Sequence, residues 1–208
     1  MTEPLRMRSA LASLDLAVRT ALASEKAGVS LGQRRFLGKV NLRGDAGDGQ
    51  LGRAVRDALG LELPAANRAE IGEAASLLRI GPDEWLAIGG SLADARELSR
   101  RLSAALEGHH AAATDVSSGW AAIRLGGAES KTVLQKGCTL DLATPRFRAG
   151  DCTATYLGNA DVVLHQVDDD RDGSGALYDI YVPRSYAFSL WYWLHEASVE
   201  FGLAVSIG

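Results

Sequence analysis

A strand, a glycine turn and a helix follow one another in the stretch Asp115–Leu142, and this pattern constrains the fold more than any other part of the chain. Residues 120–125 predict a strand because their side chains alternate between two faces. Gly126-Gly127 lets the chain reverse without a Cβ penalty. Residues 128–136 predict a helix with an apolar side, and Gly137 is expected to end it.

Other strands and helices are mixed along the chain. Helices are predicted at 5–26, 51–59, 92–106 and 184–201, and strands at 36–42, 77–80, 85–88, 153–157, 161–167 and 177–182. The two strands about Gly158 must pair antiparallel, because so short a link cannot cross over a sheet. The sequence therefore predicts an α+β fold with mixed, largely antiparallel sheets and packed helices.

The chain is divided into two regions by its patterning. Residues 1–70 form an N-terminal helix and strand region, and residues 71–208 contain the central stretch. Residues 65–76 are weakly patterned and are predicted to be a loop or linker. We expect the two regions to pack together as one compact unit.

Composition excludes several classes of protein. The chain has 208 residues, a 47% apolar fraction and a formal net charge of -4. A packed core is therefore expected, and the sequence lacks the basic stripe that nucleic-acid binding needs. It also lacks a run of apolar residues that could span a bilayer or serve as a signal peptide. With only two cysteines, a disulfide scaffold is not expected, and a cytoplasmic setting fits best.

The side chains that could carry chemistry are scattered. They are His109, His110, His165, His195, Cys138, Cys152 and the acidic run Asp168–Asp172. The histidines lack metal-motif spacing, the cysteines are expected to be buried inert thiols, and the acidic run lacks the calcium-loop pattern. The glycine runs match neither a dinucleotide fingerprint nor a phosphate loop. We predict no catalytic, cofactor-binding or metal-binding residue in this chain.

Three motifs resemble a known family. They are the central stretch Asp115–Leu142, the run Leu78–Leu86 and the run Tyr178–Pro183 with the helix after it. Together they resemble the gamma subunits of heterotetrameric sarcosine oxidases. They are similar, more distantly, to the folate-binding domain of glycine-cleavage aminomethyltransferases. The resemblance covers about the last two-thirds of the chain, so residues 71–208 are expected to form an aminomethyltransferase-like region.

The aminomethyltransferase site does not carry over residue by residue. In the aminomethyltransferase family, a carboxylate side chain lies next to a strand. The resemblance aligns that carboxylate with residues 73–78 of this chain, where no Asp lies beside the strand. It aligns a folate-contacting Glu with Asp179, which is one methylene shorter. The family's glycine-rich signature is replaced by residues 170–175. Since positioning errors of that scale are costly, tight folate binding by this chain alone is not expected.

The resemblance implies a non-catalytic subunit of an oxidoreductase complex. Such a complex demethylates sarcosine to glycine, with formation of hydrogen peroxide and 5,10-methylenetetrahydrofolate. The alpha, beta and delta subunits are the expected partners, and they are expected to hold FAD, FMN, NAD, zinc and tetrahydrofolate. The chain alone is expected to be inactive. The alternatives are an independent folate-binding aminomethyltransferase-like protein and a subunit of a related N-methyl amino acid dehydrogenase.

The last predicted helix is apolar on two sides. At about 100° per residue, one face is predicted to lie on the sheet, and it comprises Tyr186, Leu190, Leu194, Ala197 and Phe201. A second sector comprises Phe188, Trp191, Tyr192 and Val199. Exposed large aromatic side chains mark interaction sites, so this sector is the candidate partner interface. The alternative is that another layer of the same chain covers it.

Overall fold

The structure is a computed structural model, and it describes residues 8–14, 27–143, 146–170 and 173–207. The strands are β1 Val29–Gln33, β2 Gly38–Arg43, β3 Ala69–Ile71, β4 Ala75–Arg79, β5 Glu84–Gly89, β6 Ala112–Asp115, β7 Trp120–Gly126, β8 Cys152–Leu157, β9 Ala160–Asp168, β10 Leu177–Pro183 and β11 Leu203–Ile207. The α-helices are α1 Gly49–Leu59, α2 Leu92–Ala105, α3 Ser130–Gln135 and α4 Ala187–Ser198. Short 3-10 turns lie on both sides of α4.

Two sheets organise the chain. The first has the strand order β11-β1-β7-β10-β9-β8, and the second has the order β3-β4-β5-β2-β6. Neighbouring strands are antiparallel throughout, except that β1 and β11 are parallel. The predicted α+β fold with largely antiparallel sheets is confirmed, including the antiparallel pair about Gly158.

The apolar side chains form three clusters that correspond to layers. One cluster joins the first sheet to α3 and α4, and a second joins the other sheet to α1 and α2. The third lies between the sheets and includes Leu86 from β5 and Tyr181 from β10. Since side chains alternate along a strand, each central strand contributes one set to a helix-facing layer and the other set to the space between the sheets.

Local sequence explains where two of the helices begin. The Asp48 carboxylate accepts a hydrogen bond from the Gln50 N–H at 2.8 Å, and α1 ends at Gly60 with φ 70°. The Ser91 hydroxyl accepts from the Asp94 N–H at 3.2 Å and caps the start of α2. Each cap satisfies an N–H that has no partner within its helix.

The central stretch forms the predicted strand, turn and helix. Gly127 has φ 107°, and a Cβ there would lie 2.4 Å from the Gly28 carbonyl oxygen, so the turn requires glycine. The expected role of Gly137 as the helix end is wrong, since Lys136 occupies the cap position in right-handed helical geometry. A Cβ on Gly137 would lie 2.4 Å from the Trp193 ring, so packing under that ring requires glycine there.

Several predicted boundaries differ from the structure. The predicted helix at 5–26 lies largely outside the described residues, and Ala12–Leu14 forms a single 3-10 turn. The predicted loop at 65–76 contains β3 and the start of β4. No strand was predicted at β1, β6 or β11. The division at residue 70 falls within β3, and both sheets contain strands from before and after it.

None of the helices in the described part of the chain has the length and apolar character that crossing a membrane would need.

Candidate functional site

A cavity of about 230 Å³ lies at one side of the space between the two sheets. Its wall on the first sheet comprises Arg124, His165, Asp179 and Tyr181, and its other wall comprises residues 71–76 and 88–90. Arg124, His165 and Asp179 lie on neighbouring strands β7, β9 and β10, and Asp179 is the cross-strand partner of both other residues. Strand register therefore brings these polar side chains together between the sheets.

Asp179 is the centre of a buried ion-pair network. Its side chain is 2% exposed, and its two oxygens accept from Arg124 Nε at 2.7 Å and Nη2 at 2.9 Å. Arg34 Nη1 donates to the same carboxylate at 2.7 Å. Hydrogen bonding to Asp179 raises the pKa of the Arg124 guanidinium. The carboxylate is engaged on both oxygens, so it serves to hold two arginines between the sheets.

His165 faces the same cavity as a neutral imidazole. It is 4% exposed, and neither ring nitrogen has a hydrogen-bond partner among the described residues. Burial lowers its pKa to about 4, against a smaller opposing effect of Asp179. A neutral imidazole offers one donor and one acceptor to a small polar molecule in the cavity. Because this imidazole does not exchange a proton near neutral pH, His165 does not serve as a general acid or base there.

The buried state of His165 predicts a pH dependence of stability. The unfolded chain takes up the proton near pH 6.5, whereas the folded chain does so near pH 4. The unfolded state therefore binds more protons in that window, and the free energy of unfolding falls as the pH drops from 6.5 to 4. The full loss is about 3 kcal/mol.

Urea unfolding at pH 5.0 and 6.5 measures this effect. His165→Phe should reduce the difference in unfolding free energy between the two pH values, because the substituted side chain takes up no proton. His110→Gln changes an exposed histidine and is the matched control. An unaltered difference in the His165→Phe variant would show that another group causes it.

The stretch 73–78 and Asp179, which the resemblance aligns with the aminomethyltransferase site, both contribute to the wall of this cavity. Glu73 is exposed in the turn between β3 and β4, whereas Asp179 is buried beneath the arginines. Sequence reasoning missed Arg34 and the role of Arg124. The alternation of residues 120–125 placed Arg124 on the side of Ala122, away from the helix-facing core. No sequence signal connected Arg34 with Asp179, since 145 positions separate them.

The two cysteines are buried and not joined in a disulfide, as expected. Cys152 is the cross-strand partner of His165, and burial raises its pKa to about 12. A thiol with that pKa is not a nucleophile at neutral pH. No group of three or more potential metal ligands occurs in the described residues.

Of the four residues in the candidate partner interface on the last helix, three are exposed and one is buried. Phe188, Tyr192 and Val199 are 50%, 60% and 55% exposed. Trp191 is 2% exposed and belongs to the core beneath the first sheet, so its assignment to a partner surface is wrong. Trp191 lies one turn after Ala187, which is also buried. The buried face is thus rotated from the predicted one.

Tyr186 differs from prediction in the opposite direction. It was placed on the sheet-facing side of the helix, and it is 49% exposed. The helix α4 begins only at Ala187, and Tyr186 belongs to the preceding 3-10 turn. The 3.6-residue period therefore does not set its direction.

The architecture of this chain is similar to that of a known protein. Aminomethyltransferase T of the glycine cleavage system from Bartonella henselae is 13% identical, with a TM-score of 0.61 over 95% of this chain and 51% of that one. At this identity the likeness concerns the fold, which is that of an aminomethyltransferase-like α+β protein.

A family model and two similar proteins define the kind of protein more specifically than the fold does. The model of the sarcosine oxidase gamma subunit family matches residues 43–200. The sarcosine oxidase subunit gamma of Arthrobacter sp is 31% identical over 190 residues, 89% of this chain and 88% of that protein. The heterotetrameric sarcosine oxidase from Corynebacterium sp. U-96, in complex with pyrrole 2-carboxylate, contains a chain that is 26% identical, with a TM-score of 0.82 over 94% of this chain and 96% of that one. This chain belongs to the sarcosine oxidase gamma subunit family.

Proposed function

We propose that this chain is a non-catalytic structural subunit of a heterotetrameric sarcosine oxidase. The observation that carries the proposal is the TM-score of 0.82 with a chain of such an enzyme, over 94% of this chain and 96% of that one. A likeness that spans both chains almost completely supports the same place in an assembly. The complex would demethylate sarcosine oxidatively to glycine, with formation of hydrogen peroxide and 5,10-methylenetetrahydrofolate.

The geometry between the sheets supports the non-catalytic part of the proposal. Asp179, at the position that resembles a folate-contacting Glu, is tied to Arg34 and Arg124. His165 is held neutral, and the Cys152 thiol is held protonated. The chemistry would then belong to alpha, beta and delta subunits that hold FAD, FMN, NAD, zinc and tetrahydrofolate, and the assembly would work in the cytoplasm.

Two alternatives remain distinct from this proposal. An independent folate-binding aminomethyltransferase-like protein would need a carboxylate free to meet its ligand, and the pairing of Asp179 with two arginines speaks against it. A subunit of a related N-methyl amino acid dehydrogenase would share the architecture and differ in the substrate of its partners. Assay of the purified assembly with several N-methyl amino acids distinguishes the two substrate classes.

The exposed side of α4 is the surface that we propose for a partner. Phe188 and Tyr192 are one turn apart, and Val199 follows in the 3-10 turn after the helix. Large apolar side chains exposed together are typical of interaction sites, and Tyr is among the residues that most often anchor interfaces. With Trp191 in the core, these three residues are what remains of the candidate interface.

Co-purification tests both the function and the surface. Tagged chain expressed with candidate partner subunits should elute with them and with a flavin spectrum, whereas the chain alone should be colourless and release no peroxide with sarcosine. Tyr192→Ala and Phe188→Ala should each reduce the recovered partner severalfold while the melting temperature of the chain alone is kept, since both side chains are exposed.

Tyr156→Ala is the matched control for this experiment, because Tyr156 is 54% exposed on β8, outside α4. Equal loss of partner in this variant would remove the case for the surface on α4. A chain that elutes alone, or that turns over sarcosine by itself, would contradict the proposed function.

A further inference from the structure

A second cavity, of about 220 Å³, lies on the other side of Arg34 and is lined by cationic side chains. Arg8, Arg34, Lys39 and Arg184 all contribute to its wall. None of the described residues that line it is an aspartate or a glutamate. The net charge of the chain is -4, so this concentration of positive charge is local and contrary to the overall balance.

Lys39 is the unusual member of this group. It lies on β2, and alternation turns its side chain away from the helix-facing core that holds Val40 and Leu42. Lys39 is 3% exposed, and among the described residues its ammonium donates a hydrogen bond to the Leu37 carbonyl oxygen at 2.9 Å. An ammonium group can donate three hydrogen bonds. The fold therefore buries a cation whose donors it does not fully satisfy.

Asp115, whose charge acts on Lys39, and Asp179, which is paired with Arg34, both accept hydrogen bonds from other groups. Asp115 accepts from the Ser117 N–H at 2.9 Å and from the Ser117 hydroxyl at 2.6 Å. Asp179 is held by Arg124 and by one nitrogen of Arg34. Burial lowers the pKa of Lys39 to about 8, more than Asp115 raises it. A buried charge of this kind is costly unless a partner compensates it.

The remaining wall of the cavity contains groups that suit an anion. Arg184 Nη2 donates to the Arg8 carbonyl oxygen at 2.8 Å, which joins two segments at the rim. Leu92 lines the cavity at the first residue of α2, a 14-residue helix whose N-terminus carries partial positive charge. Arginine guanidinium groups match the geometry of phosphate oxygens, and lysine supplies a point charge.

We propose that this cavity binds a small multivalent oxyanion, either phosphate or the phosphoryl group of a small molecule, between Lys39 and the three arginines. Its volume is below that of pockets for drug-sized ligands, so it suits a compact group. Such a ligand would supply acceptors for the Lys39 ammonium. The inference does not depend on the proposed function, since it concerns a different cavity and needs no partner subunit.

Calorimetry and thermal unfolding of the full chain test this site. Inorganic phosphate should bind and raise the melting temperature, relative to sodium chloride at equal ionic strength. Lys39→Met should weaken phosphate binding about tenfold or more, because it removes a buried charged donor. The same variant without phosphate should melt at the same temperature or higher, because the uncompensated charge is gone.

Two further variants keep the test decisive. Arg184→Gln changes an exposed residue of the same wall and should weaken phosphate binding severalfold. Arg53→Gln changes an exposed arginine on α1, outside this cavity, and should leave binding unchanged. Glycerol 3-phosphate distinguishes the sources: tighter binding than phosphate indicates a phosphorylated small molecule, and equal binding indicates free phosphate.

Three results would overturn the proposal. The first is a response to phosphate no larger than that to chloride. The second is an equal loss of binding in the Arg53→Gln and Lys39→Met variants. The third is binding of an oligoglutamate peptide where phosphate does not bind, which would make the cavity a docking site for protein.

Discussion

Trp191→Ala is expected to lower the free energy of unfolding by about 3–5 kcal/mol, the range for removing a large buried aromatic side chain. Trp191 is 2% exposed and packs in the core between the first sheet and α4. Truncation leaves a cavity that the surrounding strands fill only in part. For a chain of this size the melting temperature should fall by about 10 °C, measured by circular dichroism on the full chain.

Tyr192→Ala is the matched control, since Tyr192 is the next residue on the helix and is 60% exposed. Its free energy of unfolding should change by no more than about 0.5 kcal/mol. The pair of variants separates the two apolar sides of α4: one loses stability, and the other loses partner binding. A Trp191→Ala variant that melts with the wild type would mean that the indole is not packed in the core.

Asp179→Asn is expected to destabilise the chain by about 2–3 kcal/mol. Removal of one member of a buried ion pair leaves the other charge uncompensated, which typically costs about 3–5 kcal/mol. The lower value applies because the Arg34 and Arg124 side chains are 33% and 35% exposed and retain some contact with water. Chemical denaturation at pH 7 measures the loss.

Replacement of the whole network tests the reason for that loss. The triple variant Arg34→Met, Arg124→Met, Asp179→Leu should recover stability to within about 1 kcal/mol of the wild type, because no uncompensated charge remains. Glu97→Gln is the control: Glu97 pairs with Arg100 and Arg101 on the surface of α2, and its removal should have little effect. Equal losses for Glu97→Gln and Asp179→Asn would show that burial does not matter here.

The local pattern of the chain was sufficient for elements that carry their own signals. The alternation of residues 120–125 and the Gly126-Gly127 turn each correspond to an observed strand or turn. These features depend on neighbouring residues, and local steric and hydrogen-bonding preferences determine them. The strands β1 and β11 were missed, and their pairing is distant in sequence: β1 pairs in parallel with β11 and antiparallel with β7.

The sequence pattern did not predict which face of helix α4 the core covers. The sequence showed that α4 is apolar on two sides but did not show which side the sheet would cover. Ala187 and Trp191 are buried, whereas Tyr186 and Tyr192 are exposed. Helix α4 begins at Ala187 rather than at residue 184, and the core covers Trp191 in addition to the predicted Leu190 and Leu194.

By itself, the sequence determined the α+β class, the antiparallel strand pair about Gly158 and the position of Asp179 in a strand next to a helix. Only the tertiary structure decided the surroundings of Asp179 and Lys39. Arg34 is 145 positions from Asp179, and Ser117 is 78 positions from Lys39. Contacts of such separation depend on strand order and register, which the packing of whole sheets sets and which no short stretch of residues encodes.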